Sequence, residues 1–446
     1  MRRLHIVLLI LVVLVLISPL LTGSVAQKQF NRSLVDLEEL LPGLAFEETQ
    51  AEAGWLTSTN TQELVFKGTL IAEDGSAEDQ HSGIFLETEI FHGPLIFGMG
   101  DPNMPAISFG AAITRSQVSF DKGDAEPVEL PGGIYNRISY GGSGSLSLVF
   151  DPLAEEFSDE TATGGASIRW EGARLEVDYN AGLSHVESVG VIKPLSVVSD
   201  EGEFRFGEIN FESSADYSDF GIWTGSSSSS VEELAVVGSS VGLPKAFTLR
   251  GVTMSAHSGI DQGRLSGGVT LSIAELDMDG IAGNSVQFAM SADFDAATVG
   301  RLKNTLENLD PANTDMSMDL QAGMQDAGME LLAAGLTLEI SELQINTAQG
   351  DARFVFQFEI PESDLSGQAA AMNALFSMSA ESNLRISRSL FDYISQSNPV
   401  MAPQMMALLQ TGMLIEQGEQ LTLIAIYDGG LLTVNGMPIP LPVIPQ

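Results

Sequence analysis

The sequence predicts an α+β protein: one long, curved antiparallel β-sheet with several C-terminal helices, preceded by one N-terminal transmembrane helix. Three observations predict it. Apolar and polar residues alternate with a period of two through most of Phe46–Phe294. The longer helical patterns fall after Ala296. An uncharged apolar run, Leu4–Leu21, follows Arg2-Arg3. Strict alternation puts one strand face against a core and the other in water, as antiparallel sheets do.

The apolar run comes first. It sits near the lower end of the roughly 17–25 residues that span a bilayer core. Two arginines ahead of it hold that end in the cytoplasm, so the body is expected on the far side. Residues 4–23 are therefore expected to anchor a single-pass bacterial inner-membrane protein. Cleavage after Ala26 is the alternative, because Ser24-Val25-Ala26 supplies the small residues a signal peptidase needs. The domain reading is 1–26 membrane anchor or signal peptide, 27–295 β-rich periplasmic region, and 296–446 an α+β region completing the same sheet.

An amphipathic turn of helix is expected around Leu34, Leu37, Leu40 and Leu41, closed by Pro42-Gly43. Strands follow. Ile84, Leu86 and Ile90 alternate with Glu87 and Glu89; Leu175, Val177 and Tyr179 alternate with Arg174, Glu176 and Asp178; Val269, Leu271 and Ile273 alternate with Thr270 and Ser272. Turn chemistry divides them at Asp74-Gly75, Pro131-Gly132-Gly133, Gly141-Gly142, Gly164-Gly165 and the serine tract Ser226–Ser230. Beyond Ala296, helices are predicted over Ala296–Leu309, Leu320–Ala334 (ended by Gly335), Arg388–Gln396 and Pro403–Gln410. Between them, Leu336–Ile345 and Phe354–Ile360 form a hairpin turning at Gln349-Gly350-Asp351. Strands at Leu421–Tyr427 and Leu431–Val434 complete the pattern.

The charge is −39, from 59 acidic and 20 basic residues. Such a surface repels nucleic acid and anionic lipid headgroups, so neither is expected as a partner of the body. Hydrophobic residues make up 44%, enough for a core. The chain has no cysteine, which removes disulfides, thiolate metal sites, a cysteine nucleophile and lipoprotein-type attachment.

Short motifs recur in a recognisable order. Glu52-Ala53-Gly54-Trp55-Leu56-Thr57-Ser58 leads into a strand, and Ile90-Phe91-His92-Gly93-Pro94-Leu95 ends another. A helix runs into the Gly335–Ile360 hairpin, and Tyr427-Asp428-Gly429-Gly430-Leu431-Leu432-Thr433-Val434-Asn435-Gly436 comes near the end. This arrangement behind an apolar N-terminal segment resembles the YdgA-like family of bacterial envelope proteins, a domain of unknown function. The resemblance implies an inner-membrane anchor with a periplasmic body. It supplies no reaction and no catalytic residues. Trp55, His92, Gly93, Pro94, Asn435 and Gly436 are the candidate structural or functional positions it marks.

Chemistry is sparse. The five histidines show no metal-ligand spacing, and no phosphate loop or dinucleotide fingerprint occurs, so no metal and no cofactor is expected. His92, at a strand end, is read as fixing the chain's exit, with a ligand or catalytic role as the alternative. Gly238-Ser239-Ser240-Val241-Gly242 fits the pattern of a serine nucleophile but lacks the following helix that chemistry requires. Asp277-Met278-Asp279-Gly280 reads as a strand-to-strand turn rather than a calcium loop. Methionines crowd the last third, suited to packing helices on a sheet or to an adaptable apolar groove. The expectation is a non-enzymatic envelope protein that scaffolds, or binds a lipid or an envelope protein along an amphipathic sheet. The alternatives are an envelope hydrolase using His92 or Ser240, and a homo-oligomer pairing exposed edges.

Overall fold

The computed structural model describes residues 44–53, 57–71, 77–92, 96–97, 107–108, 110–120, 128–158, 165–199, 202–238, 246–278, 281–307, 327–363, 373–374, 376–397 and 402–439. The apolar run 4–23 and the turn of helix at Leu34–Leu41 lie outside these. Among the described residues, no helix is long and apolar enough to cross a membrane. The architecture is mostly antiparallel sheet with helices concentrated after Asp295, and it divides into two compact units.

Unit 1 comprises Met1–Glu155 and Arg169–Lys193. It is a meander of β1 (Leu44–Ala53), β2 (Thr57–Ile71), β3 (Ala77–His92), β4 (Ala112–Phe120), β5 (Gly132–Ile138), β6 (Gly144–Phe150), β7 (Ala173–Tyr179) and β8 (His185–Ile192). Each strand pairs antiparallel with the next. Connections that do not cross and right-handed twist favour this sequential pairing. The turn expected at Gly141-Gly142 joins β5 to β6, where the Gly142 amide donates to the Ser139 carbonyl at 3.0 Å. Ile96, Ile113 and Tyr135 form a small core, with Phe91 and Val149 against it.

Unit 2 comprises Glu156–Ile168 and Pro194–Gln446. Its strands are β9 (Leu195–Ser199), β10 (Gly202–Phe206), β11 (Ile209–Tyr217), β12 (Trp223–Gly238), β13 (Ala246–Asp261), β14 (Arg264–Met278) and β15 (Ile281–Asp295). β12 is long enough to pair with β11 along its first half and β10 along its second. The Gly207 amide donates to the Glu233 carbonyl at 2.7 Å and the Glu232 amide to the Glu208 carbonyl at 2.9 Å where β10 gives way to β11.

The serine tract is a correction. Ser226–Ser230 is not a turn but lies inside β12, hydrogen-bonded into ladders on both sides: Ser227 opposes Ser213 and Ala256, and Ser229 opposes Phe211 and Met254. Weak β propensity lost to two flanking ladders, because tertiary pairing overrides local preference.

At Ala296 the chain enters helix α1 (Ala296–Glu307). The Asp295 carboxylate caps it, accepting from the Thr298 amide at 2.7 Å and the Thr298 hydroxyl at 2.6 Å. Helix α2 (327–333) ends at Gly335, whose φ of +73° is the left-handed C-terminal conformation expected of glycine. The sheet resumes with β16 (Leu336–Thr347), which pairs with β15, then β17 (Gly350–Ile360) and β18 (Ser379–Ser387). Helices α3 (Arg388–Ser397) and α4 (Ala402–Gln410) precede β19 (Ile415–Gln417), β20 (Gln420–Asp428), β21 (Leu431–Val434) and β22 (Met437–Ile439). β20 pairs with β18, β19 and β21. The predicted hairpin, both late helices and both late strands thus form; β17 starts at Gly350, four residues before the predicted Phe354 and inside the predicted turn, and the other ends shift by at most two residues.

Candidate functional site: an open apolar sheet face

The positions singled out in the sequence separate. Trp55, Gly93, Pro94 and Ser240 lie outside the described residues. His92 closes β3 and is 3% exposed, with its Nε2 at 3.4 Å from the Ser58 hydroxyl, a long contact. It belongs to a buried polar face of unit 1. Ser58 opposes Ile90, which opposes Thr114; Asn60 opposes Thr88, which opposes Ser116. Ser58, Asn60, Thr88, Thr114 and Ser116 are all buried, and the Thr88 and Ser116 hydroxyls bond at 2.7 Å. Further along the meander, the Tyr179 hydroxyl donates to Asn136 Oδ1 at 2.9 Å. Burial pushes the Tyr179 phenol above its ordinary value.

The segment holding Ser240 joins β12 to β13, which run antiparallel side by side. A strand therefore follows where a nucleophile elbow needs a helix. Among the described residues, no group of three His, Asp or Glu could hold a metal ion.

Asn435 and Gly436 form the two-residue turn between β21 and β22, at φ +50° and +78°. Positive φ at both positions is the twist-matched hairpin turn that Asn-Gly favours. The Asn435 side chain does more. Its Oδ1 accepts from the Ile424 amide at 2.9 Å, and its Nδ2 donates to the carbonyls of Gly412 and Met413 at 3.1 and 2.9 Å. It clamps the turn after α4 to the sheet.

The feature that sequence reasoning found only in outline is the apolar face of unit 2. Pairing aligns its side chains into rows that cross the strands. One row is Met254, Leu271, Phe288, Leu343, Phe354, Leu384 and Leu423, each opposite the next. A parallel row is Val231, Val252, Ile273, Val286, Ile345, Ala352, Ile386 and Leu421. Between these lies the polar row of the other face: Ser230, Thr253, Ser272, Gln287, Gln344, Arg353, Arg385 and Thr422. Alternation along each strand thus becomes two-sidedness of the whole ladder. Phe354, Phe356 and Phe358 stack along β17, with centroids 6.4 Å apart at each step and rings within 9° of parallel.

Among the described residues, the apolar face is covered at one end. There Phe391 of α3, Leu414 and Leu421 form a buried cluster, joined by Ile386, Leu423 and, from α4, Met405, Leu408 and Leu409. Along β13–β17 the same rows stay partly exposed, Met254 by 46% and Leu343 by 39%. Where the apolar alternation slips by one residue, Arg250 bonds Glu233 and Glu275, each at 3.0 Å. Hydrogen bonds to Glu275 and then Glu233 hold its guanidinium above the usual arginine value.

A trough of about 460 Å³ crosses the strands of this unit between β11 and β15. Ala215, Gly225, Ser258, Gly267 and Ala292 stand opposite one another in one row and form its floor. Trp223, Leu265 and Phe294 rise on one side, and Ala256, Val269 and Met290 on the other. Gly225 sits at φ +154°, where a Cβ would collide with the Ser214 carbonyl, so the floor is low there by backbone necessity.

Fold and site define an antiparallel meander protein with an amphipathic sheet whose apolar side stays partly exposed along β13–β17. The chain belongs to the family of bacterial proteins of unknown function designated DUF945, which it matches over residues 1–442. No curated protein and no solved structure matches it.

Proposed function

We propose that this is a non-enzymatic, membrane-tethered envelope protein that binds an apolar ligand on the open face of unit 2. The observation that carries the reading is the set of aligned apolar rows left partly exposed along β13–β17. Apolar area of this extent on a soluble body marks an interaction site. The tether rests on the charge-flanked apolar run at residues 4–21. The periplasmic side rests on that orientation and on the resemblance to YdgA-like envelope proteins, which membership of the DUF945 family accommodates. The hydrolase alternative draws no support from His92, which is 3% exposed and therefore withdrawn from substrate.

The test is native mass spectrometry of the full chain extracted from membranes in mild detergent. A bound lipid, or a bound peptide released together with the protein, is the expected result. A bare protein that gains no mass when lipid is added back would overturn the proposal.

A further inference from the structure

Resting on the binding role proposed above, we infer that the trough between β11 and β15 seats one acyl chain of an anionic membrane phospholipid, with the headgroup phosphate towards Lys303. Three observations point to this occupant.

The first is charge. None of the residues lining the trough is Asp, Glu, Lys or Arg, in a chain that is 18% charged and carries −39. Seven serines, Thr224 and His257 line it, yet its exposed surface is mostly apolar, and apolar surface is what a hydrocarbon chain covers.

The second is shape. The floor row of small residues spans five neighbouring strands. Strands lie about 4.8 Å apart, so four spacings give a channel of about 19 Å. One leaflet of a bilayer's hydrocarbon core is about 15 Å thick, which is the reach of one acyl chain. Walls of Trp223, Leu265 and Phe294 against Val269 and Met290 confine a single chain laterally. Beyond Ala292 the same row continues as Leu338 and Phe358, whose bulk ends the channel.

The third is a cation beside the β11 end. Tyr217 and Trp223 pack with ring centroids 5.2 Å apart, and Lys303 of α1 places its ammonium 5.8 Å from the Tyr217 ring. Aromatic rings beside a lysine suit the boundary between acyl chain and phosphate. On so acidic a surface, a local positive charge is what lets an anionic lipid approach.

The experiment is photo-crosslinking of the full chain with phosphatidylglycerol bearing a diazirine on one palmitoyl chain, followed by peptide mapping. Crosslinks should concentrate on the strands carrying Trp223, Leu265 and Met290. Ala292→Trp and Ser258→Leu, which fill the floor from two different strands, should each weaken lipid binding about tenfold, the effect of forcing a side chain into occupied space. Lys303→Gln should remove the preference for phosphatidylglycerol over uncharged diacylglycerol while leaving the crosslinked positions unchanged. Should either filled variant fail to fold, the wild-type map decides alone. Crosslinks centred on Leu343 and Phe356, unaffected by filling the floor, would overturn this inference and leave the proposed function standing. Lipid bound nowhere in unit 2 would overturn both.

Discussion

The two units treat their sheets in opposite ways. Unit 1 buries a polar face: Asn60, Thr88 and Ser116 stand opposite one another and are almost fully withdrawn from solvent. Unit 2 leaves an apolar face partly exposed: Leu271, Phe288, Leu343 and Phe354 form a row in which Leu343 remains 39% exposed. Burial therefore does not track polarity in this chain. A polar side chain can be buried cheaply only when a neighbour satisfies it, as Thr88 and Ser116 satisfy each other. An apolar row can stay open only at the expense of solvation, which a ligand would relieve. Unit 1 withdraws its polar face from water, and unit 2 leaves partly exposed the face on which we propose that a ligand binds.

The largest expected effect contrasts the closed and open ends of the apolar face. Phe391→Ala empties a site that is 1% exposed, and should cost about 3–5 kcal/mol in denaturant unfolding. Phe356→Ala, on the open stretch, should cost only about 1 kcal/mol, because water already reaches it. Equal costs would mean that the face is closed throughout, and the comparison would fail.

The buried polar face comes next. Thr88→Val strands the Ser116 hydroxyl and should cost about 2–3 kcal/mol. Adding Ser116→Ala should recover part of that loss, giving a coupling of about 1 kcal/mol in a double-mutant cycle. Additive losses would show that the two hydroxyls are not a pair.

Asn435→Ala removes three side-chain bonds and places alanine at φ +50°. Thermal unfolding should report a loss of about 2 kcal/mol. Asn435→Gly should restore only the backbone part. A full rescue by glycine would mean that the clamp on Gly412 and Met413 contributes nothing.

Tyr179→Phe is the smallest expected change, about 1 kcal/mol for one hydrogen bond. It also carries a sign with pH. Burial raises the phenol above its unfolded value, so folding holds the proton more tightly. That contribution is complete below the ordinary tyrosine range, near 10, and is lost as pH rises through the raised value. Wild type should lose stability there faster than the phenylalanine variant. Parallel curves would mean that folding does not hold the Tyr179 proton more tightly.

Much of the strand and helix pattern was legible in the sequence, and for particular reasons. Phe354, Phe356 and Phe358 announce a strand because an aromatic at every second position has no other economical arrangement. Gly335 announces a helix end because the position needs positive φ, whereas Asn435-Gly436 was marked only by the family resemblance and the strand after it was missed. Ser226–Ser230 misled because serine favours turns locally, while its role here was set by strands more than ten residues away in sequence. The floor of the trough was invisible for the same reason. Ala215, Gly225, Ser258, Gly267 and Ala292 look unrelated until register sets them opposite one another. His92 drew attention as a titratable residue at a strand end, yet only pairing shows that it closes a buried polar face.

The most direct test of the contrast is native mass spectrometry on three full-length proteins extracted from membranes: wild type, Leu343→Gln with Ser258→Leu, and Thr88→Val. The account predicts bound lipid on wild type and on the unit 1 variant, and a folded but bare unit 2 variant. Equal lipid on all three proteins, or lipid lost only from Thr88→Val, would contradict it.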